Sequence, residues 1–289
     1  MSYFSRLHKT FEGAIKLPLY PSSKYVLFSD CHRGTGTSND NFLKNRNLYL
    51  AALKHYYHAG YTYIELGDGD ELWENRSIQQ IVEAHENIFS QLCCFHRKGR
   101  LYMLYGNHDM VKKKQAFLPD IPFYPGIILE NLLAPDAQDL YLTHGHQADL
   151  FNSTLWPVTR FLVRYLWRPL EHYGVLDPTS AAKNYTRKQT CEKRLQAFAK
   201  KEQILLITGH THRPTLTETD LSYCNSGSCI HPYSITCLEI ERSSITLAKW
   251  MLTVRPDRSL YVTRETLSGP FPLIHQEPAS EIRVSPGAL

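Results

Sequence analysis

Five times along this chain a short apolar run stops at a small residue and is followed at once by aspartate, asparagine or histidine. Residues 25–28 run into Ser29, Asp30, Cys31 and His32, and residues 61–66 into Gly67 and Asp68. Residues 101–105 lead to Gly106, Asn107, His108 and Asp109; residues 140–142 to Thr143, His144, Gly145 and His146; residues 204–207 to Thr208, Gly209, His210, Thr211 and His212. Apolar runs of this length bounded by turn residues read as buried strands. The carboxyl ends of strands in an open α/β sheet face a common crevice. The pattern therefore predicts strands whose polar tips gather at one place.

Helical patterns fill the early gaps. Leu43, Leu50, Leu53 and Tyr57 share a helical face that ends at Gly60, and the 3.6-residue period is held from Ile78 through Ile81, Val82, His85, Ile88 and Phe89 to Leu92. Strands alternating with helices predict β-α-β units and a largely parallel sheet. Residues 234–240 and 244–251 read as two strands joined by a turn at Glu241 and Arg242, and suggest a second sheet packed on the first. The expected architecture is α/β, a single domain over 1–289 with a helical insert or lid at 149–203. In that insert Pro157 opens a helix and Pro169 closes it, with Arg160, Arg164 and Arg168 on one stripe and Phe161, Leu162, Tyr165 and Leu166 on another. A second, basic helical piece is expected over 184–201.

The 289 residues are 43% hydrophobic and 21% charged, which excludes a disordered or coiled-coil chain. A net charge of +4 is too small to argue for a nucleic-acid partner. Seven cysteines, an odd number with Cys93 and Cys94 adjacent, point to free thiols in a reducing compartment. Residues 1–15 are broken by charge and do not read as a secretory leader, and no window is apolar enough to span a bilayer. A cytoplasmic location is the expectation.

The strand tips supply Asp30, His32, Asp68, Asn107, His144, His210 and His212, a nitrogen and oxygen donor set without thiolate. Imidazole with carboxylate suits manganese, iron or zinc. Seven donors exceed one tetrahedral ion and fit two neighbouring divalent cations sharing Asp68.

Asp-x-His, Gly-Asp, Gly-Asn-His-Asp, His-Gly and Gly-His-Thr-His, in this order, resemble the calcineurin-like metallophosphoesterases. The resemblance implies a four-layer αββα sandwich. It implies that Asp30, His32 and His212 hold one metal, that Asn107, His144 and His210 hold the other, and that Asp68 bridges. It also implies hydrolysis of a phosphate ester or pyrophosphate by a hydroxide held between the ions, with His108 donating a proton to the leaving group and Asp109 orienting His108. Manganese is the leading choice of metal. Arg33 is placed to bind a phosphate oxygen, and His146 to stand beside the ligands near the substrate.

A phosphorylated small molecule or lipid is the expected partner. The position and helical character of the insert are similar to the lid of bacterial UDP-2,3-diacylglucosamine pyrophosphatases, although Gly-Asn-His-Asp stands here where those have Gly-Asn-Arg-Asp. Other readings are a nucleotide phosphomonoesterase or phosphodiesterase, a serine/threonine protein phosphatase, and a non-catalytic binding module; such a module is expected to lose ligands that this chain retains. The 157–170 segment could equally be a peripheral membrane contact or a hairpin that closes its own core. His55, His58, His85, His96 and His172 read as packing or surface residues, and Cys31, Cys224, Cys229 and Cys237 as structural.

Overall fold

A computed structural model describes residues 1–37, 39–114, 121–135, 137–167 and 185–274. The chain opens with helix α1 (Tyr3–Glu12) and strands β1 (Ile15–Leu19) and β2 (Tyr25–Phe28). Helix α2 (Arg46–His58), β3 (Thr62–Glu65), α3 (Ile78–Ala84), α4 (Glu86–Arg97) and β4 (Leu101–Leu104) follow. Then come β5 (Phe123–Tyr124), β6 (Ile127–Asn131), β7 (Leu140–Leu142), α5 (Leu150–Ser153), α6 (Trp156–Leu162) with a continuing turn Val163–Trp167, and α7 (Tyr185–Glu202). Strands β8 (Leu205–Thr208), β9 (Thr215–Thr217), β10 (Asp220–Asn225), β11 (Ser234–Glu241), β12 (Ser244–Val254) and β13 (Leu260–Pro272) complete the described fold.

The strands form two sheets, ordered β1-β6-β7-β8-β10-β9 and β13-β12-β11-β2-β3-β4-β5. Pairing is parallel through β2, β3, β4 and β5 and through β7, β8 and β10. The sheets pack face to face through Leu17, Leu27, Ile64, Leu104, Leu142, Ile207, Leu238 and Leu247. Helices α2 and α4 cover the outer face of one sheet with Tyr49, Leu53, Ile88 and Phe95, while α1 and α7 cover the other with Leu7, Leu195 and Phe198. The result is the four-layer αββα sandwich.

Three local expectations are corrected. The C-terminal strands do not build the second sheet: β11 pairs with β2 and extends the first, and the second is assembled from β1 and β6–β10. The buried face of α2 is Leu48, Tyr49, Ala52, Leu53 and Tyr56; Leu53 is on it as expected, while Leu50 and Tyr57 flank it, partly buried against the same core. The helix predicted from Ile78 to Leu92 breaks at His85, whose ring turns inward to Asp40 with Nε2–Oδ2 at 2.9 Å. Of the insert, Arg168, Pro169, Asn184 and His172 lie outside the described residues. No described helix is long and apolar enough to cross a membrane.

Candidate metal centre

Each predicted ligand lies just beyond a strand end. Asp30 and His32 follow β2, Asp68 follows β3, Asn107 follows β4, His144 follows β7, and His210 and His212 follow β8. The turns are held in register by main-chain bonds: Asp30 N–H donates to Gly67 O, His32 N–H to Asp68 O, and Gly209 N–H to His144 O. At the crevice the sheets are joined by His210 N–H to Asp30 Oδ2 at 2.9 Å and by His144 Nδ1–H to Leu66 O at 2.9 Å.

Five of the seven have left-handed backbone: Asp30 (φ 53°), His32 (48°), Asp68 (51°), His210 (69°) and His212 (55°). That conformation is unfavourable for residues with a Cβ, and such strain concentrates at functional sites. Here it throws successive side chains off the ladder and into the crevice. Cys31, read as structural, lies between two of these left-handed residues and is buried in the helix-side core. Gly106 permits a close approach to the bridging carboxylate, since a Cβ there would lie 2.1 Å from Asp68 Oδ1.

The side chains converge as two triads. Asp30, His32 and His212 bring their donors within 4.8 Å of one another, as do Asp68, His144 and His210. His212 Nε2 lies 3.0 Å from Asp30 Oδ1 and 3.3 Å from His32 Nε2. Asp68 Oδ2 stands 3.1 Å from His144 Nε2 and 3.9 Å from His32 Nε2, so this carboxylate faces both groups. Asn107 Oδ1 is 3.2 Å from His144 Nε2.

The donors fit divalent cations. With His144 Nδ1–H given to a main-chain carbonyl, its Nε2 lone pair faces two acceptor oxygens, which only a proton or a cation reconciles. His210 Nε2 is buried without a hydrogen-bond partner, a cost that metal coordination would remove. Burial drives His210 well below the usual histidine range and lowers His212, leaving both neutral. Burial also opposes charge on His144, but Asp68 and Asp30 overcome it and raise the group to about 9. Asp30 and Asp68 are held well below the usual carboxylate range by surrounding imidazoles that outweigh their burial.

His108 is the accessible member of the constellation, with 21% of its side chain exposed. Its N–H donates to Asp68 Oδ1 at 2.8 Å, and its ring stacks on Trp73 with centroids 4.2 Å apart. The expected partner of His108 was Asp109, and the structure corrects this. Asp109 turns back over the strand ends, accepting from Gly106 N–H, Gly69 N–H and Lys112 Nζ. The carboxylate on His108 is Glu71, whose Oε1 lies 2.8 Å from His108 Nδ1 while Oε2 lies 2.8 Å from His32 Nδ1. Both imidazoles thereby present Nε2 to the crevice. The signal for Glu71 was the acidic and aromatic string from Gly67 to Trp73, which motif spacing alone did not resolve.

Arg33 is likewise corrected. It is fully enclosed, with Nε 2.6 Å from Asp70 Oδ1 and its two terminal nitrogens 2.8 and 3.0 Å from the Glu65 oxygens, so its fork is spent on the protein interior. Main-chain bonds to Gly69 O and from Glu71 N–H fix Arg33 beside the bridging loop and draw its side chain inward. His146 is 3% exposed beside His144, ring centroids 5.5 Å apart, and burial lowers it to about 3. His85 pairs with Asp40 in the core, and the seven cysteines are free.

The family model described as calcineurin-like phosphoesterase matches residues 23–214. No curated protein sequence matches the chain. Among solved structures, Vps29 from Chaetomium thermophilum is similar at 12% identity over 85% of this chain and 97% of that one, with a TM-score of 0.40. A hypothetical protein from Thermus thermophilus is similar at 12% identity over 84% and 99%, with a TM-score of 0.30. The match to the family model begins just before β2, ends just after the Gly-His-Thr-His turn, and takes in both triads and Asn107: the chain belongs to the calcineurin-like phosphoesterases.

Proposed function

We propose that the protein is a hydrolase of phosphate esters or pyrophosphates that works with two divalent cations, manganese in the first place and iron or zinc as alternatives. The observation that carries the proposal is Asp68 Oδ2 standing between the Asp30–His32–His212 and Asp68–His144–His210 groups. Asp30, His32 and His212 would hold one cation, Asn107, His144 and His210 the other, with Asp68 shared. The cations, when bound, would lower the pKa of a water and offset charge on the phosphoryl group. The chain supplies the remainder. Glu71 fixes His108 through Nδ1 and, with Asp68, raises it above the usual histidine range against the pull of burial, so a proton sits on Nε2 facing the crevice. From there His108 delivers it to the departing oxygen, a step typically worth ~10²–10⁴-fold in rate. Trp73 stacked on one face and His32 set edge-on hold the ring against rotation.

The placement of α6 after His144 supports a substrate like that of the UDP-2,3-diacylglucosamine pyrophosphatases, a nucleotide sugar whose acyl chains would rest outside the polar part of the site, where the exposed Phe161 suits a peripheral apolar contact. The test is metal analysis of the purified protein together with turnover of p-nitrophenyl phosphate. Two equivalents of metal and hydrolysis are expected, and Asp68→Asn should lower occupancy of both sites. A chain that takes up metal but leaves aryl phosphates untouched overturns the catalytic reading.

A further inference from the structure

The loop after the bridging aspartate and the turn after α6 border an open cleft of about 430 Å³, lined by Thr35, Asn75, Arg76, Gln80, Arg164 and Tyr165 together with Glu74. That volume falls within the range of small-molecule sites. A second, water-sized pocket of about 10 Å³, whose lining includes His32 and Glu71, adjoins it through the shared Thr35, Glu74 and Asn75, which places the larger space beside the metal-facing loops. From the functional reading above, on which this inference rests, we propose that this cleft receives the part of the substrate that is not phosphate, and that it takes a hydroxylated ring bearing an anionic substituent: a sugar phosphate or a nucleotide.

The lining argues the class. The Gln80 amide and the exposed guanidinium of Arg76 offer hydrogen bonds, Thr35 and Asn75 add a polar wall held by Thr35 Oγ1–H to Asn75 Oδ1 at 3.5 Å and Asn75 Nδ2–H to Glu71 O at 2.9 Å, and among the described residues no aliphatic side chain lines the cleft. An acyl chain would strip water from these polar groups and return nothing. Hydroxyls and an anion replace that water bond for bond, with Arg76 matching the negative end. The wall is preformed: Arg164 donates from Nε to Trp73 O at 2.8 Å and from one terminal nitrogen to Leu72 O and Asn75 O at 2.8 and 3.1 Å. Arg76 donates to the Tyr165 hydroxyl at 3.0 Å, closing the far side.

The experiment measures binding of uridine 5′-monophosphate and N-acetylglucosamine 1-phosphate to the metal-loaded protein by calorimetry, beside turnover of both, of p-nitrophenyl phosphate and of a short-chain phosphatidic acid. Loss of one charge-assisted bond predicts that Arg76→Ala weakens binding of the ring phosphates about tenfold. Gln80→Ala should weaken them less, and turnover of p-nitrophenyl phosphate, which has no sugar ring, should be unchanged in both variants. The tighter of the two ring phosphates identifies the natural class. Ring-phosphate binding that is absent, or unaltered in both variants, overturns the inference, as does preference for the acylated phosphate. Failure of p-nitrophenyl phosphate turnover in the parent protein instead defeats the hydrolase reading, because the calorimetry does not depend on hydrolysis.

Discussion

At the scale of single residues, the metal-facing set is a problem of like donors crowded together. His144 shows it most sharply: its Nε2 has Asp68 Oδ2 and Asn107 Oδ1 as neighbours, and without a cation a proton holds the three together. Because that proton is retained up to about pH 9, a metal ion entering at neutral pH must displace it. Affinity should therefore climb as pH rises from 6 to 9 and flatten beyond. Calorimetric titration with manganese at pH 7, run in buffers of different ionisation enthalpy, should report proton release on binding. Binding without proton release, with an affinity indifferent to pH, would contradict the assignment. That these seven side chains gather at one crevice was legible in the sequence, because a strand end followed by a metal-competent side chain is a local signal. Glu71 was missed, and Asp109 and Arg33 were misjudged, because each role depends on which way a side chain turns across neighbouring loops, and spacing along one segment does not carry that information.

At the scale of elements, the loop from Glu71 to Asn75 is the piece on which reactivity and the insert meet. It places Glu71 between two imidazoles and Trp73 against His108, and Arg164 grips it from the turn that follows α6. The sequence placed Arg164 on a basic stripe with Arg160 and Arg168. In the fold the continuing turn Val163–Trp167 brings Arg164 against three carbonyls, a contact between segments about 90 residues apart that helical periodicity cannot register. Arg164→Ala leaves those carbonyls to water, so the cost in global stability should be small, about 1–2 kcal/mol. The local effect should be larger: amide hydrogen exchange across residues 72–76 should accelerate, while exchange in β2, β3 and β4 stays as it was. Unchanged exchange in that loop would mean that the insert merely rests on it.

Across the whole molecule, a buried lattice of charge underlies the crevice and ties its loops to the sheet. Arg33 bridges Glu65 at the end of β3 to Asp70, Lys112 bridges Asp70 to Asp109, and Asp109 returns to the main chain at Gly69 and Gly106 on either side of the crevice floor. Paired ions of this kind add little net stability, but removal of one partner strands the others in a low-dielectric interior. Arg33→Met should thus cost about 3–5 kcal/mol, measured by urea denaturation at pH 7. The pH dependence has a definite sign. Burial pushes Asp70 up, yet Arg33 and Lys112 outweigh it and bring the group to about 2, below its ordinary 3.8. A depressed carboxylate contributes stability above its unfolded value and loses it as pH falls through the folded one, so this contribution in the parent protein should fade between roughly pH 4 and pH 2. In Arg33→Met the desolvated carboxylates lose their main cation, and that loss should begin at higher pH. If Arg33→Met unfolds with the parent's midpoint at both pH 7 and pH 4, the lattice is incidental and the crevice owes its shape to the apolar layers alone.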